Sequence, residues 1–132
     1  MASWANGVHA ITLFVDDLAA ARDFYRDVLG LPVAFADDDS AAFNFGKTIV
    51  NLLGDEAAPE LIDPVAVASH DAGARSLLTI DVADVDAVCA ELSGRGVSML
   101  NGPVDRPWGV RTAAFSDPAG HVWEIATPIS SA

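Results

Sequence analysis

A strand, a tight acidic turn and a helix occur twice in this chain, at one constant offset. Residues 8–31 read VHAITLFVDDLAAARDFYRDVLGL, and residues 77–97 read LLTIDVADVDAVCAELSGRGV. Laying Val15 on Val82 also lays Asp17 on Asp84 and Tyr25 on Leu92. Each unit continues into a hairpin-like segment, residues 42–53 and 112–126. A repeat of this length makes the protein a pair of similar modules. Paired modules are expected to hold a ligand between them.

Alternation sets the faces of the strands. Ile11, Leu13 and Val15 alternate with Ala10, Thr12 and Phe14, and Leu78, Ile80 and Val82 alternate with Leu77, Thr79 and Asp81. Side chains two apart share a face, so one set packs under the helix and the other looks away from it. Asp16 or Asp17, and Asp84, suit helix N-caps, because a short side-chain oxygen can accept an orphaned backbone N–H. A first helix of about residues 18–29 would bury Leu18, Ala21, Phe24, Tyr25 and Val28. Gly30 ends it and Pro32 blocks its continuation. The second helix presents Val85, Val88, Cys89 and Leu92, with Gly94 and Gly96 at its end.

Module one covers about residues 8–54 and module two about 76–128, all within a single domain of residues 1–132. The connector, 55–75, carries Pro59 and Pro64 and suits one short helical turn. Asp37, Asp38 and Asp39 belong at a solvated turn. Residues 101–111, NGPVDRPWGVR, read as a loop. Asp117-Pro118-Ala119-Gly120 is a strong turn signal before a last strand at 121–127. The order β-α-β-β-β, twice, makes the fold class α+β with a curved mixed sheet rather than a doubly wound layout. Neither a Walker loop nor a GxGxxG fingerprint is present.

Seven basic against nineteen acidic residues give a net charge of −12. That field makes nucleic acid a poor partner, so none is expected; it attracts cations, or serves only to keep the chain in solution. No apolar run reaches the roughly 18–20 residues of a membrane span. The start, MASWANGVHA, has no signal-peptide pattern, and a lone Cys89 allows no internal disulfide, so a cytoplasmic location is expected.

Two segments carry a family likeness: FVDDLAAARDFYRDVLGLPV in the first module and DPAGHVWEIA at the end of the second. They resemble the vicinal oxygen chelate superfamily, which includes glyoxalase I, bleomycin-resistance proteins, fosfomycin-resistance enzymes and extradiol dioxygenases. PWGVR is similar to the bleomycin-resistance branch. The resemblance covers nearly the whole chain. It implies two βαβββ modules in a cupped sheet with helices outside, completed in a homodimer. Metal-using members place ligands on the first and fourth strands of each module. The corresponding positions here are Ala10, Asn51, Leu77 and Glu124, so the resemblance implies a degenerate site without a metal cofactor. His9 lies one residue from the first position. It becomes a fallback ligand beside Glu124 only if the strand slips by one residue, which would turn Ile11, Leu13 and Val15 outward.

The expected function is therefore binding of a small molecule, such as an antibiotic or another cationic or aromatic compound. The candidate contacts are Thr12, Phe14, Asn51, Thr79, Trp108, Arg111 and Glu124. Trp108, in a loop bounded by Pro and Gly, offers a face for stacking. Arg111 suits an anionic ligand group or Asp105. The alternative is a lyase, isomerase, dioxygenase or thiol transferase using Zn, Ni, Mn or Fe, which would need His9 or His70 with Glu124 to rebuild a metal site. A third option keeps catalysis without a metal, with Glu124 as the catalytic base.

Overall fold

The computed structural model describes residues 4–129; the outermost ends of the expected domain lie outside them. Contacts divide the chain into two compact units, Met1–Ser69 and His70–Ala132.

The first unit runs β1 (Ala10–Val15), α1 (Leu18–Asp23), a π-helical continuation (Phe24–Val28), β2 (Val33–Ala36), β3 (Ser40–Phe45), β4 (Thr48–Gly54) and α2 (Pro59–Ile62). Its sheet has the order β1-β4-β3-β2, with β1 parallel to β4 and the other pairs antiparallel. The second unit runs β5 (Leu77–Asp81), α3 (Val85–Gly94), β6 (Asn101–Asp105), β7 (Val110–Ser116) and β8 (Val122–Pro128). Its order, β5-β8-β7-β6 with β5 parallel to β8, repeats the first. Each unit is a βαβββ module, and the α+β class expected from the repeat is the one observed.

The local causes match the sequence reading. Asp17 Oδ1 accepts from the Ala20 N–H at 3.0 Å, and Asp84 Oδ1 accepts from the Ala87 N–H at 3.1 Å. Asp17, not Asp16, is the cap of α1. Leu13, Val15, Val50 and Leu52 are buried together with Ala21, Phe24, Tyr25 and Phe43. The Tyr25 and Phe43 rings lie 6.0 Å apart, so the aromatic pair of the first helix is core. In the second unit Val85, Cys89 and Leu92 are buried with Ala113, Phe115, Trp123 and Ile125. Each such large apolar side chain contributes about 1.5–3 kcal/mol relative to exposure.

Three expectations are corrected. The second half of the first helix is wound as a π-helix, with the Leu29 N–H donating to the Phe24 carbonyl at 3.1 Å. Residues 101–105 are not loop but the edge strand β6, paired to β7 with an irregularity between Asn101 and Val104. The last strand is shifted by one residue, to Val122–Pro128. At the other sheet's edge, β2 leaves all four residues exposed, Phe35 at 56%. The acidic turn follows it, where Asp37 Oδ1 accepts from the N–H groups of Asp39 at 2.9 Å and Ser40 at 2.8 Å. Among the described residues, no helix is long and apolar enough to cross a membrane.

Candidate functional site

Each sheet carries its helix on one face. Strand alternation then assigns the other face. In the first unit this open face takes Ala10, Thr12 and Phe14 from β1, Asn51 from β4 and Ala42 from β3. In the second it takes Leu77, Thr79 and Asp81 from β5, Glu124 from β8, Ala114 from β7 and Asn101 from β6.

The registers align the polar members into matching rows. Thr12 stands opposite Asn51, and Asn51 opposite Ala42. Thr79 stands opposite Glu124, and Glu124 opposite Ala114. Opposed residues on one face lie within side-chain reach. The Asn51 amide donates to Thr12 Oγ1 at 3.5 Å, at the limit of a hydrogen bond, and the Thr79 hydroxyl donates to Glu124 Oε1 at 3.0 Å. The repeat thus places a threonine beside an amide in one unit and beside a carboxylate in the other.

The two arginines of the NGPVDRPWGVR segment part company. Arg111 Nε and Nη2 donate to Asp86 of α3 at 2.8 and 3.0 Å, and Nη1 donates to Asp105 at 2.9 Å. The hydrogen bond from Arg111 holds the Asp86 carboxyl below the usual carboxylate range. This fork ties β6, β7 and α3 together on the helix-bearing face, so Arg111 is turned away from Glu124. Of the two roles expected for it, Arg111 takes the one beside Asp105. Arg106 takes the other face. Its Nε donates to Thr112 Oγ1 at 3.0 Å and its Nη2 to Asn101 Oδ1 at 3.2 Å. Asn101 faces Ala114 and Thr112 faces Ala126, which puts the Arg106 guanidinium over the same face as Glu124. Sequence reasoning missed Arg106, because it lies in the turn between β6 and β7, where strand alternation does not assign a face.

The remaining candidates are dispersed. Trp108 is 70% exposed at the turn between β6 and β7, where the Gly109 N–H donates to the Arg106 carbonyl at 3.1 Å. Trp123 is 3% exposed and belongs to the core. Phe14 is half-buried on the open face of β1. His9 precedes β1, and its carbonyl accepts from the Ile49 N–H at 3.0 Å. The register keeps Leu13 and Val15 buried, so His9 has the phase of the helix-side residues. His70 packs its backbone against Gly120 in the turn before β8; a Cβ on Gly120 would lie 2.7 Å from the His70 carbonyl oxygen. Among the described residues, no three His, Cys, Asp or Glu side chains gather as a metal-holding group.

A sequence model of the Glyoxalase/Bleomycin resistance protein/Dioxygenase superfamily matches residues 7–125. The Bacillus subtilis (strain 168) protein named "Uncharacterized protein YraH" is 34% identical over 119 residues, 87% of this chain and 93% of that one. A glyoxalase/bleomycin resistance protein/dioxygenase from Nocardioides superposes with a TM-score of 0.86, at 23% identity over 96% of this chain and 86% of the other. TnmS3, an antibiotic binding protein from Streptomyces sp. CB03234, superposes at 0.68 with 30% identity, over 93% of this chain and 96% of the other.

Proposed function

The chain belongs to the Glyoxalase/Bleomycin resistance protein/Dioxygenase superfamily, and on that footing we propose that it is a binding protein for a small apolar or aromatic compound bearing a positive charge. Antibiotics are among the compounds of that class. The observation that carries this reading is the composition of the four positions where metal-using relatives hold their ion. Ala10 and Leu77 offer only alkyl groups, Asn51 a neutral amide, and Glu124 alone a carboxylate. A catalytic divalent ion needs about three protein donors of suitable chemistry. This donor set does not fit one, and no metal enters the proposal. What remains is uncharged surface, Ala10, Thr12 and Phe14 on one open face and Leu77 and Thr79 on the other, with a few placed polar groups. Such surface suits an organic ligand. The 30% identity to an antibiotic binding protein supports the same reading.

In this proposal Asn51 and Glu124 are the orienting groups of their respective faces, and Thr12 and Thr79 hold those two groups in place. Trp108 stacks on an aromatic or cationic part of the ligand. The chain works in the cytoplasm as a homodimer. Tryptophan fluorescence tests it: Trp4 and Trp108 are exposed and Trp123 is buried, and a Trp108 variant separates the two exposed reporters. Titration with a panel of cationic aromatic compounds should give a saturable change that is lost in Trp108→Phe. Silence across the panel would refute the reading. Stoichiometric Zn, Ni, Mn or Fe in tag-free protein would overturn it in favour of a metal-dependent lyase, isomerase, dioxygenase or thiol transferase. Sedimentation would establish the dimer.

A further inference from the structure

We propose that the open face of the second unit takes a zwitterion, its cationic group on Glu124 and its anionic group on Arg106. This rests on the binding-protein reading and names the ligand class for it.

Among the described residues Lys47, Arg75 and Arg106 stand in no ion pair, and of these three only Arg106 is half-buried, Lys47 and Arg75 being exposed. There are nineteen acidic residues against seven basic ones. Arg22, Arg26, Arg95 and Arg111 each sit within 4.0 Å of a carboxylate. Arg106 does not, although it is half-buried. It is positioned by two neutral oxygens, those of Thr112 and Asn101, and Thr112 is only 1% exposed. A guanidinium is always protonated and has five N–H donors. Two are used here, leaving those on Nη1 and one on Nη2, the pair suited to bidentate contact with a carboxylate or phosphate.

Glu124 mirrors this state. Its Oε1 accepts from the Thr79 hydroxyl, and no basic side chain among the described residues pairs with it. Glu124, Ala114 and Asn101 form one row across β8, β7 and β6. Two inter-strand steps separate its ends by roughly 10 Å. Ala114 in the middle contributes only a methyl, so no bulky or charged side chain of the row stands between its two ends. Arg106 and Glu124 form no ion pair with each other, and a ligand bearing both charges would neutralise both. A half-buried charge left without a partner is costly. A net-neutral zwitterion also escapes the repulsion that a −12 chain exerts on a simple anion.

Three probes separate the possibilities: benzylamine, phenylacetate and 4-(aminomethyl)phenylacetate, with dissociation constants measured by chemical-shift titration. The zwitterion should bind about tenfold more tightly than benzylamine, a difference of about 1.4 kcal/mol. Arg106→Gln should erase that advantage and leave benzylamine unchanged, while Arg106→Lys, which keeps the charge, should restore part of it. Glu124→Gln should weaken both amine-bearing probes. A thermal melt reports whether each variant is folded, and for the Arg106 variants benzylamine binding does so as well. The proposal is overturned if the zwitterion binds no better than benzylamine, or if its advantage survives loss of the Arg106 charge in a variant that melts normally. Binding of benzylamine without added gain sinks this inference alone. Failure of all three probes sinks the binding-protein reading at this face as well.

Discussion

Replacing Gly102 with alanine tests how the second sheet seats Asn101, the residue that helps to hold Arg106. Gly102 has φ +83°, and a Cβ there would lie 2.5 Å from the Thr112 carbonyl oxygen and 2.7 Å from the Ala113 Cα. The conformational part costs about 1–2 kcal/mol, since L-residues avoid positive φ. The clash adds about 1–3 kcal/mol, because the obstructing atoms are backbone of a paired strand and cannot rotate aside. The sum is about 2–5 kcal/mol. At about 4 °C per kcal/mol for a chain of this size, the melting temperature should fall by about 8–20 °C. Gly109 supplies the control: its φ is +91°, but nothing lies within 4 Å of the added Cβ. Gly109→Ala therefore costs only the conformational part, about 1–2 kcal/mol or about 4–8 °C. Thermal melts followed by circular dichroism distinguish the two. Equal losses would refute the close approach, and with it the view that a glycine is needed for β6 to sit against β7.

Two further outcomes follow from the packing and the ion pairs. Arg111 lowers the Asp86 carboxyl in the folded chain, so this pair stabilises at pH values above the unfolded Asp pKa of about 3.9 and fades as pH falls through the lower folded value. Asp86→Asn should accordingly flatten the urea-midpoint profile below about pH 4 and leave its slope at neutral pH unaltered; an unchanged acid limb would contradict the pairing. Phe43→Ala empties a fully buried site beside Tyr25 and should cost about 3–5 kcal/mol by chemical denaturation, a loss below about 1 kcal/mol being incompatible with that burial.

Much of this architecture was legible because period-two patterning and helix caps are local. The alternation in residues 10–15 assigned both faces of β1, and the two aspartate caps marked both helix starts. What escaped the sequence depended on partners far along the chain. Gly102 and Pro103 read as loop punctuation, yet β6 is an edge strand, where a residue without an N–H is tolerated on the unpaired side and a bulge absorbs a glycine. The π-helical winding of Phe24–Val28 has no local signature; it exists where Phe24 and Tyr25 are both packed into the core. The candidate site divided in the same manner. Thr12, Asn51, Thr79 and Glu124 fell on open faces because register follows from the repeat. Arg106 and Arg111 could not be told apart without the turn between β6 and β7, because an arginine's reach lets either serve either face until its acceptors are known.

The exposed strand β2 has a consequence for the behaviour of many molecules together. Val33 and Phe35 lie at the open margin of a sheet whose unpaired backbone groups can accept another chain. The three aspartates immediately after it put negative charge at the place where a second molecule would have to approach. Such flanking charges act as gatekeepers against edge-to-edge growth. Their protection is electrostatic, so it fades in high salt, where the field is screened within a few ångströms. Under those conditions the first failure of a concentrated solution would be self-association through this margin, with each molecule still folded.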